Sequence, residues 1–173
     1  MKVIDGRKII WETNNFTVVV PHRPFISREE GGHIIIMGRG DKYRFDSRTD
    51  LTPSEVLEVQ RLCQMICCAY KSAMKEHGVD IIRLNYFEAG NWSFKPGSND
   101  LKAYYHEHIL GRTIDAKKQV FPEAPYLPSR DTGFYDDFKQ ITDEDIELII
   151  EKMRELETDE KYSIDKWTIK RGD

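Results

Sequence analysis

Ala103-Tyr104-Tyr105-His106-Glu107-His108-Ile109-Leu110 runs directly into Gly111-Arg112. The run reads as a strand from Ala103 to Leu110 that Gly111 brings to an end. In a strand, residues i and i+2 leave the same face. The imidazoles of His106 and His108 therefore stand side by side, with Tyr104 in the same row. Tyr105, Glu107 and Ile109 turn the other way, and Glu107 needs a partner if that face is buried. Packing alone does not select two histidines on one strand face just ahead of a Gly-Arg pair.

Upstream, Val79 to Phe87 is a further strand, and Ala89 to Leu101 is the Gly-, Asn-, Ser- and Pro-rich loop that joins the two. Before them lies the clearest helix. Thr52-Pro53-Ser54-Glu55 supplies an N-cap, a first-turn proline and a capping-box glutamate. Val56, Val59, Leu62, Cys63, Ile66, Cys67, Tyr70, Ala73 and Met74 keep to helical spacing on one face, and Gly78 is the left-handed stop. The spacing predicts one helix from about Pro53 to His77, its apolar stripe laid on a sheet. His33 to Gly38 is a short apolar strand, buried on both faces. Ile9–Trp11 and Phe16–Val20 form a hairpin around Thr13-Asn14-Asn15, Pro21 to Gly32 is a loop, and Arg39 to Asp50 is a charged surface connection.

Downstream, Thr113 to Lys139 holds Pro122, Pro125 and Pro128 together with Phe121, Tyr126, Phe134, Tyr135 and Phe138. Connections this long are uncommon in compact domains unless they are functional or disordered, and this one is too aromatic for a disordered linker. It reads as a segment wrapped over the domain beside a site. Thr142 caps a last helix with Ile146, Ile149, Ile150, Met153 and Leu156 on one face, and Trp167 in the charged tail is placed to dock back. The fold class is α+β: an antiparallel sheet packed against one long helix, with a C-terminal helical extension. Residues 1–112 make the main domain, and 113–173 add a wrapping loop, helix and tail to it.

Composition narrows the function. The chain has 173 residues, 39% hydrophobic and 32% charged, enough for a real core and too apolar for wholesale disorder. Lys+Arg number 26 against Asp+Glu 30, a net charge of −4, so the basic excess that grips long nucleic acid is missing. Met65 to Tyr70, the longest apolar run, is far short of the ~20 residues that span a bilayer. Asp5 and Arg7 interrupt the first ten residues where a signal peptide would be apolar, so the expectation is a cytoplasmic protein with no membrane partner. Cys63, Cys67 and Cys68 lack the paired spacing of a disulfide framework or a zinc knuckle and read as small buried hydrophobes.

Three readings of His106 and His108 stay open on spacing alone. They are a hydrogen-bonded pair at a sheet edge, a zinc or iron site completed by His33 or Glu88, or a nucleophilic site. In the last, a neutral imidazole attacks phosphorus and its neighbour holds the phosphate or supplies a proton.

His106-Glu107-His108-Ile109-Leu110-Gly111-Arg112 resembles the end of the histidine-triad signature, His-x-His-x-His followed by two apolar residues and a Gly- or Pro-Arg closure. Gly31-Gly32-His33-Ile34-Ile35-Ile36 is similar to the family's Gly-His-apolar strand, and Arg83-Leu84-Asn85 to the strand ending in its asparagine. The capped helix lies between them in the family's order, and the agreement runs from about Phe16 to Arg112. The resemblance implies that His106 is the nucleophile at the α-phosphate of a nucleotide, giving a nucleotidyl-histidine intermediate. It makes His108 the contact to phosphate or leaving group, His33 the support of the cluster, and Asn85 a hydrogen-bonding residue near the phosphates. Phe25 would shape the purine and ribose pocket. A homodimer, no cofactor and no metal are implied, with a dinucleoside polyphosphate or nucleoside phosphoramidate as substrate.

Tyr104 stands where the family has its first histidine and counts with His33, Asn85 and Phe25 as a substrate-binding residue, its hydroxyl able to replace one hydrogen bond of that histidine. The Gly-Gln-Ser turn that helps to hold phosphate is missing, which leaves Ser93, Ser98 or Lys102 to substitute. These departures set a nucleotide phosphohydrolase or nucleotidyltransferase against a catalytically weakened nucleotide-binding domain. A metal enzyme with a His-x-His site is the third possibility.

Overall fold

The computed structural model describes residues 2–4, 6–39, 45–90 and 104–168. Val3–Ile4 (β1), Arg7–Glu12 (β2), Phe16–Val20 (β3), His33–Gly38 (β4), Arg83–Glu88 (β5) and His106–Arg112 (β6) form one antiparallel sheet in the spatial order β1-β2-β3-β4-β6-β5. Pro53–Glu76 (α1) and Asp143–Glu157 (α2) cover one face. Ile34 and Ile36 of β4, and Ile109 of β6, turn into that helix-side core, while His33, Ile35 and Met37 turn to the opposite face. The two-residue period thus sorts β4 and β6 between a helix-side core and a functional side. The expected α+β architecture is present, and no helix among the described residues is long and apolar enough to cross a membrane.

Both helices begin as the sequence dictates. Thr52 with Glu55, and Thr142 with Asp145, close reciprocal capping boxes, and Gly78 follows α1 at φ +80°. Three expectations need correction. Val79 and Ile81 are buried, but the strand starts only at Arg83, because its partner β6 ends at Arg112 and offers nothing beyond it. The histidine strand starts at His106 rather than Ala103; Tyr105 gives its N–H to the Phe45 carbonyl (2.8 Å) instead of to β4. Ala103 itself lies outside the described residues. Gly111 does not end that strand but lies within it, where the Gly31 backbone passes so close that a Cβ on Gly111 would sit 2.2 Å from the Gly31 oxygen.

The Arg39–Asp50 connection also contributes to the core, through buried Phe45 stacked on Phe16 at 6.0 Å. Cys63, Cys67 and Cys68 are free thiols, and Cys68 is exposed rather than buried. Trp167 packs against the edge of the helix-side core and donates its indole N–H to the Lys161 carbonyl (3.1 Å).

Asp145 ties three segments together. Its carboxylate accepts two bonds from Arg28 (2.6 and 2.8 Å), one from His77 Nδ1 (2.8 Å) and one from the Thr142 amide (2.8 Å), with no solvent exposure. Burial alone would raise its pKa; the bonds from Arg28, Thr142 and His77 overrule that and bring it from 3.8 to about 2. A folded pKa below the unfolded one means stabilisation that is complete above about pH 5 and lost as pH falls toward 2. Asp145→Asn is therefore expected to cost about 2 kcal/mol at pH 7. It should also flatten the acid limb of stability against pH; denaturant melts from pH 2 to 7 check this, and an unchanged limb would refute it.

Candidate functional site

The site is built on the sheet face turned away from the helices. Register sets Ile35 opposite His108 and Met37 opposite His106, so His33, two residues back on β4, meets His108 diagonally. His33 Nδ1 accepts the Phe25 amide hydrogen at 3.1 Å, and its Nε2 lies 2.9 Å from His108 Nδ1. An imidazole that accepts at Nδ1 carries its proton on Nε2. His33 therefore donates to His108, and His108 in turn carries its proton on Nε2. That Nε2 is buried and has no partner among the described residues. A hydrogen-bonded row of neutral rings thus ends in a free donor.

His106 has the opposite polarity. Its Nδ1 lies 2.8 Å from the Tyr104 carbonyl, which can only accept, so Nδ1 holds the proton and Nε2 keeps its lone pair. The His106 and His108 ring centroids are 4.8 Å apart in an edge-to-face arrangement. One presents a nucleophilic nitrogen and the other an N–H donor within one strand.

Burial keeps all three rings neutral. His33, 1% exposed, is held well below 6.5 by desolvation, and then by the charges of His108, Arg130 and His106. His108, 4% exposed, is pushed down to about 3 by desolvation and by His106, Arg130 and Arg7. His106 is lowered by desolvation and by Arg7, against a raising bond from the Tyr104 carbonyl.

The surrounding walls are aromatic. Phe87 stacks on His108 at 4.5 Å, and Phe25 lies 5.2 Å from His33 and 5.4 Å from His108. Tyr104 packs on His106 at 4.7 Å, and its hydroxyl is 3.4 Å from Arg7 Nη2. Phe25, Ile26 and Leu110 form a second small core with Tyr135, and Phe134 and Phe138 pack against it, so the segment after Thr113 covers this side of the sheet.

No family model matches the chain, and no curated protein matches it. Solved structures do. A zinc-bound histidine triad family protein from Mycobacterium smegmatis aligns at 18% identity over 87% of this chain and 86% of its own, with a TM-score of 0.52. A Hit-like protein involved in cell-cycle regulation from Bartonella henselae aligns at 13% identity over 86% and 85%, with a TM-score of 0.50. A hypothetical histidine triad nucleotide-binding protein from Sulfolobus tokodaii aligns at 15% identity over 86% and 82%, also at 0.50. The chain has the histidine-triad fold.

Within this histidine-triad fold, His33, His106, His108, Tyr104 and Phe25 come together as one cluster. Asn85 is on the same face, opposite Leu110 in register, and its Oδ1 accepts from Arg112 Nη1 at 3.0 Å. Glu107, on the far face, has the partner it needed: Arg48 Nη2 at 3.1 Å, with the Tyr105 hydroxyl at 3.4 Å. Glu88 turns to the same arginine (3.9 Å). Among the described residues no three His, Cys, Asp or Glu side chains are arranged to hold a metal ion. Ser93, Ser98 and Lys102 lie outside the described residues.

Sequence reasoning missed Phe87, Arg7, Arg130 and Arg112 at the site. Phe87 was within reach, since it follows Asn85 by two positions on a strand. Arg112, 2% exposed, donates to Asn85 and to the carbonyls of Gln119, Val120 and Glu123 (3.0–3.1 Å), so it anchors the covering segment. Nothing local marks Arg7 or Arg130, because each reaches the cluster through tertiary structure alone.

Proposed function

We propose that this protein is a nucleotide phosphohydrolase or nucleotidyltransferase that works at the α-phosphate through His106. One observation carries the reading: the Tyr104 carbonyl fixes the His106 tautomer with its Nε2 lone pair free, 4.8 Å between ring centres from a histidine of the opposite polarity. A neutral imidazole is a competent nucleophile toward phosphorus. The Nε2–P bond forms as the P–O bond to the leaving group breaks, and the leaving oxygen takes the electron pair. His106 becomes a nucleotidylated imidazolium whose Nδ1 proton stays hydrogen-bonded to the Tyr104 carbonyl. Water or another acceptor then attacks phosphorus, the P–Nε2 bond breaks and returns its electron pair to Nε2, and the attacker's proton passes to solvent.

The other residues have supporting roles in this reading. His108 offers its free Nε2–H to a phosphate oxygen, and His33 holds His108 in that tautomer. Phe25 and Phe87 form apolar walls, and Asn85 stands beside the phosphates with Arg112 as its anchor. The substrate is a small nucleotide or dinucleotide. The histidine-triad fold supports that class, and resemblance to the family adds homodimeric assembly, a cytoplasmic setting and no need for a cofactor.

The test is a single-turnover reaction with an α-phosphate-labelled dinucleoside polyphosphate, quenched in denaturing alkali because a phosphorus–imidazole bond is lost in acid. Label on the chain supports the reading. Nucleotide bound without label or product, for either a polyphosphate or a phosphoramidate, would instead favour the binding-domain reading.

The pH profile gives a second check. Protonation removes the Nε2 lone pair, so the rate falls as pH drops through the His106 pKa. Because desolvation lowers that pKa, the acid limb of kcat/KM should lie below 6.5. A limb above 6.5 would contradict the assignment.

A further inference from the structure

We infer that Arg130, from the segment covering the site, is a substrate-recognition residue whose guanidinium takes an oxyanion of the leaving group. The site thereby selects a phosphate-chain leaving group over an amine. This inference rests on His106 being the nucleophile.

The first support is an arginine placed without a counter-ion among the described residues. The Arg130 guanidinium carbon lies 4.6 Å over the Phe25 ring and 5.1 Å over Tyr135, and Nη2 donates to the Arg23 carbonyl at 2.8 Å. Nη1 is buried and has no hydrogen-bond partner among the described residues. Leaving a buried donor unsatisfied is costly, more so on a charged group. Desolvation and the nearby charge of Arg23 both work against the charged form, and only Tyr135 favours it. An anion arriving at Nη1 relieves all of this together.

The second support is position. His108 Nε2 is likewise a buried donor without a partner among the described residues, and Phe25 touches both groups, its ring centre 5.4 Å from the His108 ring and 4.6 Å from the guanidinium. The charge of Arg130 acts on His33 and His108, whereas the charges that act on the nucleophile His106 are those of Arg7 and Glu88, so Arg130 lies on the His108 side of the cluster. A displacement at phosphorus expels its leaving group on the side opposite the nucleophile. A cation on the His108 side of the cluster, away from His106, is placed to meet it.

The third support is chemical. His108, with a pKa of about 3, is neutral and bonded to His33 through Nδ1. It can donate a hydrogen bond but has no spare proton to give. An amine departs from phosphorus only after gaining a proton, whereas a phosphate departs as an anion with the P–O electron pair and needs none. The charge that grows on the departing phosphate is met by the His108 N–H and by Arg130.

The experiment compares label transfer from α-labelled diadenosine tetraphosphate and from labelled adenosine phosphoramidate, on wild type, Arg130→Met and Arg130→Lys. The reading is the ratio of the two rates within each protein, so loss of folded material cancels. The ratio should fall about 10- to 100-fold in Arg130→Met, the range of one charge-assisted hydrogen bond, and recover in part in Arg130→Lys. An unchanged ratio, or equal loss on both substrates, would overturn the assignment of Arg130 and leave His106 untouched. If wild type takes no label yet binds nucleotide, calorimetry with ADP and AMP separates the claims. A preference for ADP that disappears in Arg130→Met upholds Arg130 while the covalent mechanism fails, and a preference that persists overturns Arg130 too.

Discussion

His106→Ala is expected to take no label from an α-phosphate-labelled nucleotide and to lose at least about 10³-fold in kcat, as when a covalent nucleophile is removed. The loss should fall on chemistry rather than on folding. The His106 ring is part-exposed, and its side-chain hydrogen bond goes to the carbonyl of Tyr104, two residues away on the same chain segment. Water can replace it there, so stability should change by no more than about 1 kcal/mol. His33 and His108 keep their mutual bond, so nucleotide affinity should survive. That pairing, lost turnover with retained binding, is what a nucleophile predicts. A variant that still takes label would move the covalent step to another residue.

Gly111→Val should be among the most destabilising single substitutions in the molecule, at about 3 kcal/mol or more. A Cβ at this position lies 2.2 Å from the Gly31 oxygen and 2.7 Å from its carbon, both backbone atoms. Gly31 cannot easily retreat. Its carbonyl accepts from the Tyr70 hydroxyl of α1 at 2.5 Å, its own φ is +120°, and the next carbonyl accepts from the Gly111 amide at 3.0 Å. Relief would require the Pro21–Gly32 loop to move, and that loop carries Phe25, whose amide sets the His33 tautomer. The variant should therefore lose stability and histidine polarity together. Gly78→Ala is the control: φ is +80° but nothing lies within 4 Å, so about 1 kcal/mol is expected. Denaturant melts of the two compare them, and a Gly111→Val midpoint no lower than that of Gly78→Ala would refute the argument.

Much of this was legible in the sequence because the signals were local. Both capping boxes, the stop at Gly78, the apolar run of β4 and the i, i+2 histidines each follow from a few neighbouring residues. The end points of β5 and β6 were not, since a strand begins where its partner is available and not where its own residues favour it. Gly111 was misread for the same reason. A glycine before an arginine reads as a terminator, and only the approach of Gly31, eighty positions earlier, explains its place within a strand. At the site, the histidines and Phe25 could be named in advance. Arg130 could not: it is one arginine in a proline-rich connection, and its value comes from two aromatic rings that tertiary structure sets beneath it.

The covering segment is fastened through its main chain. Glu30 accepts the amide hydrogens of Lys117, Lys118 and Gln119, and Arg112 donates to the carbonyls of Gln119, Val120 and Glu123. The buried Gln119 side chain grips the backbone of Phe25 and Tyr126. Attachment of this kind is indifferent to most of the side chains it carries. Val120, Tyr126 and Leu127 are exposed, and their replacement leaves every one of those anchoring bonds in place. Recognition and architecture are therefore written in separate parts of the same peptide. A lineage or a designer can alter what this rim selects while the fastening, and the histidines beneath it, stay as they are.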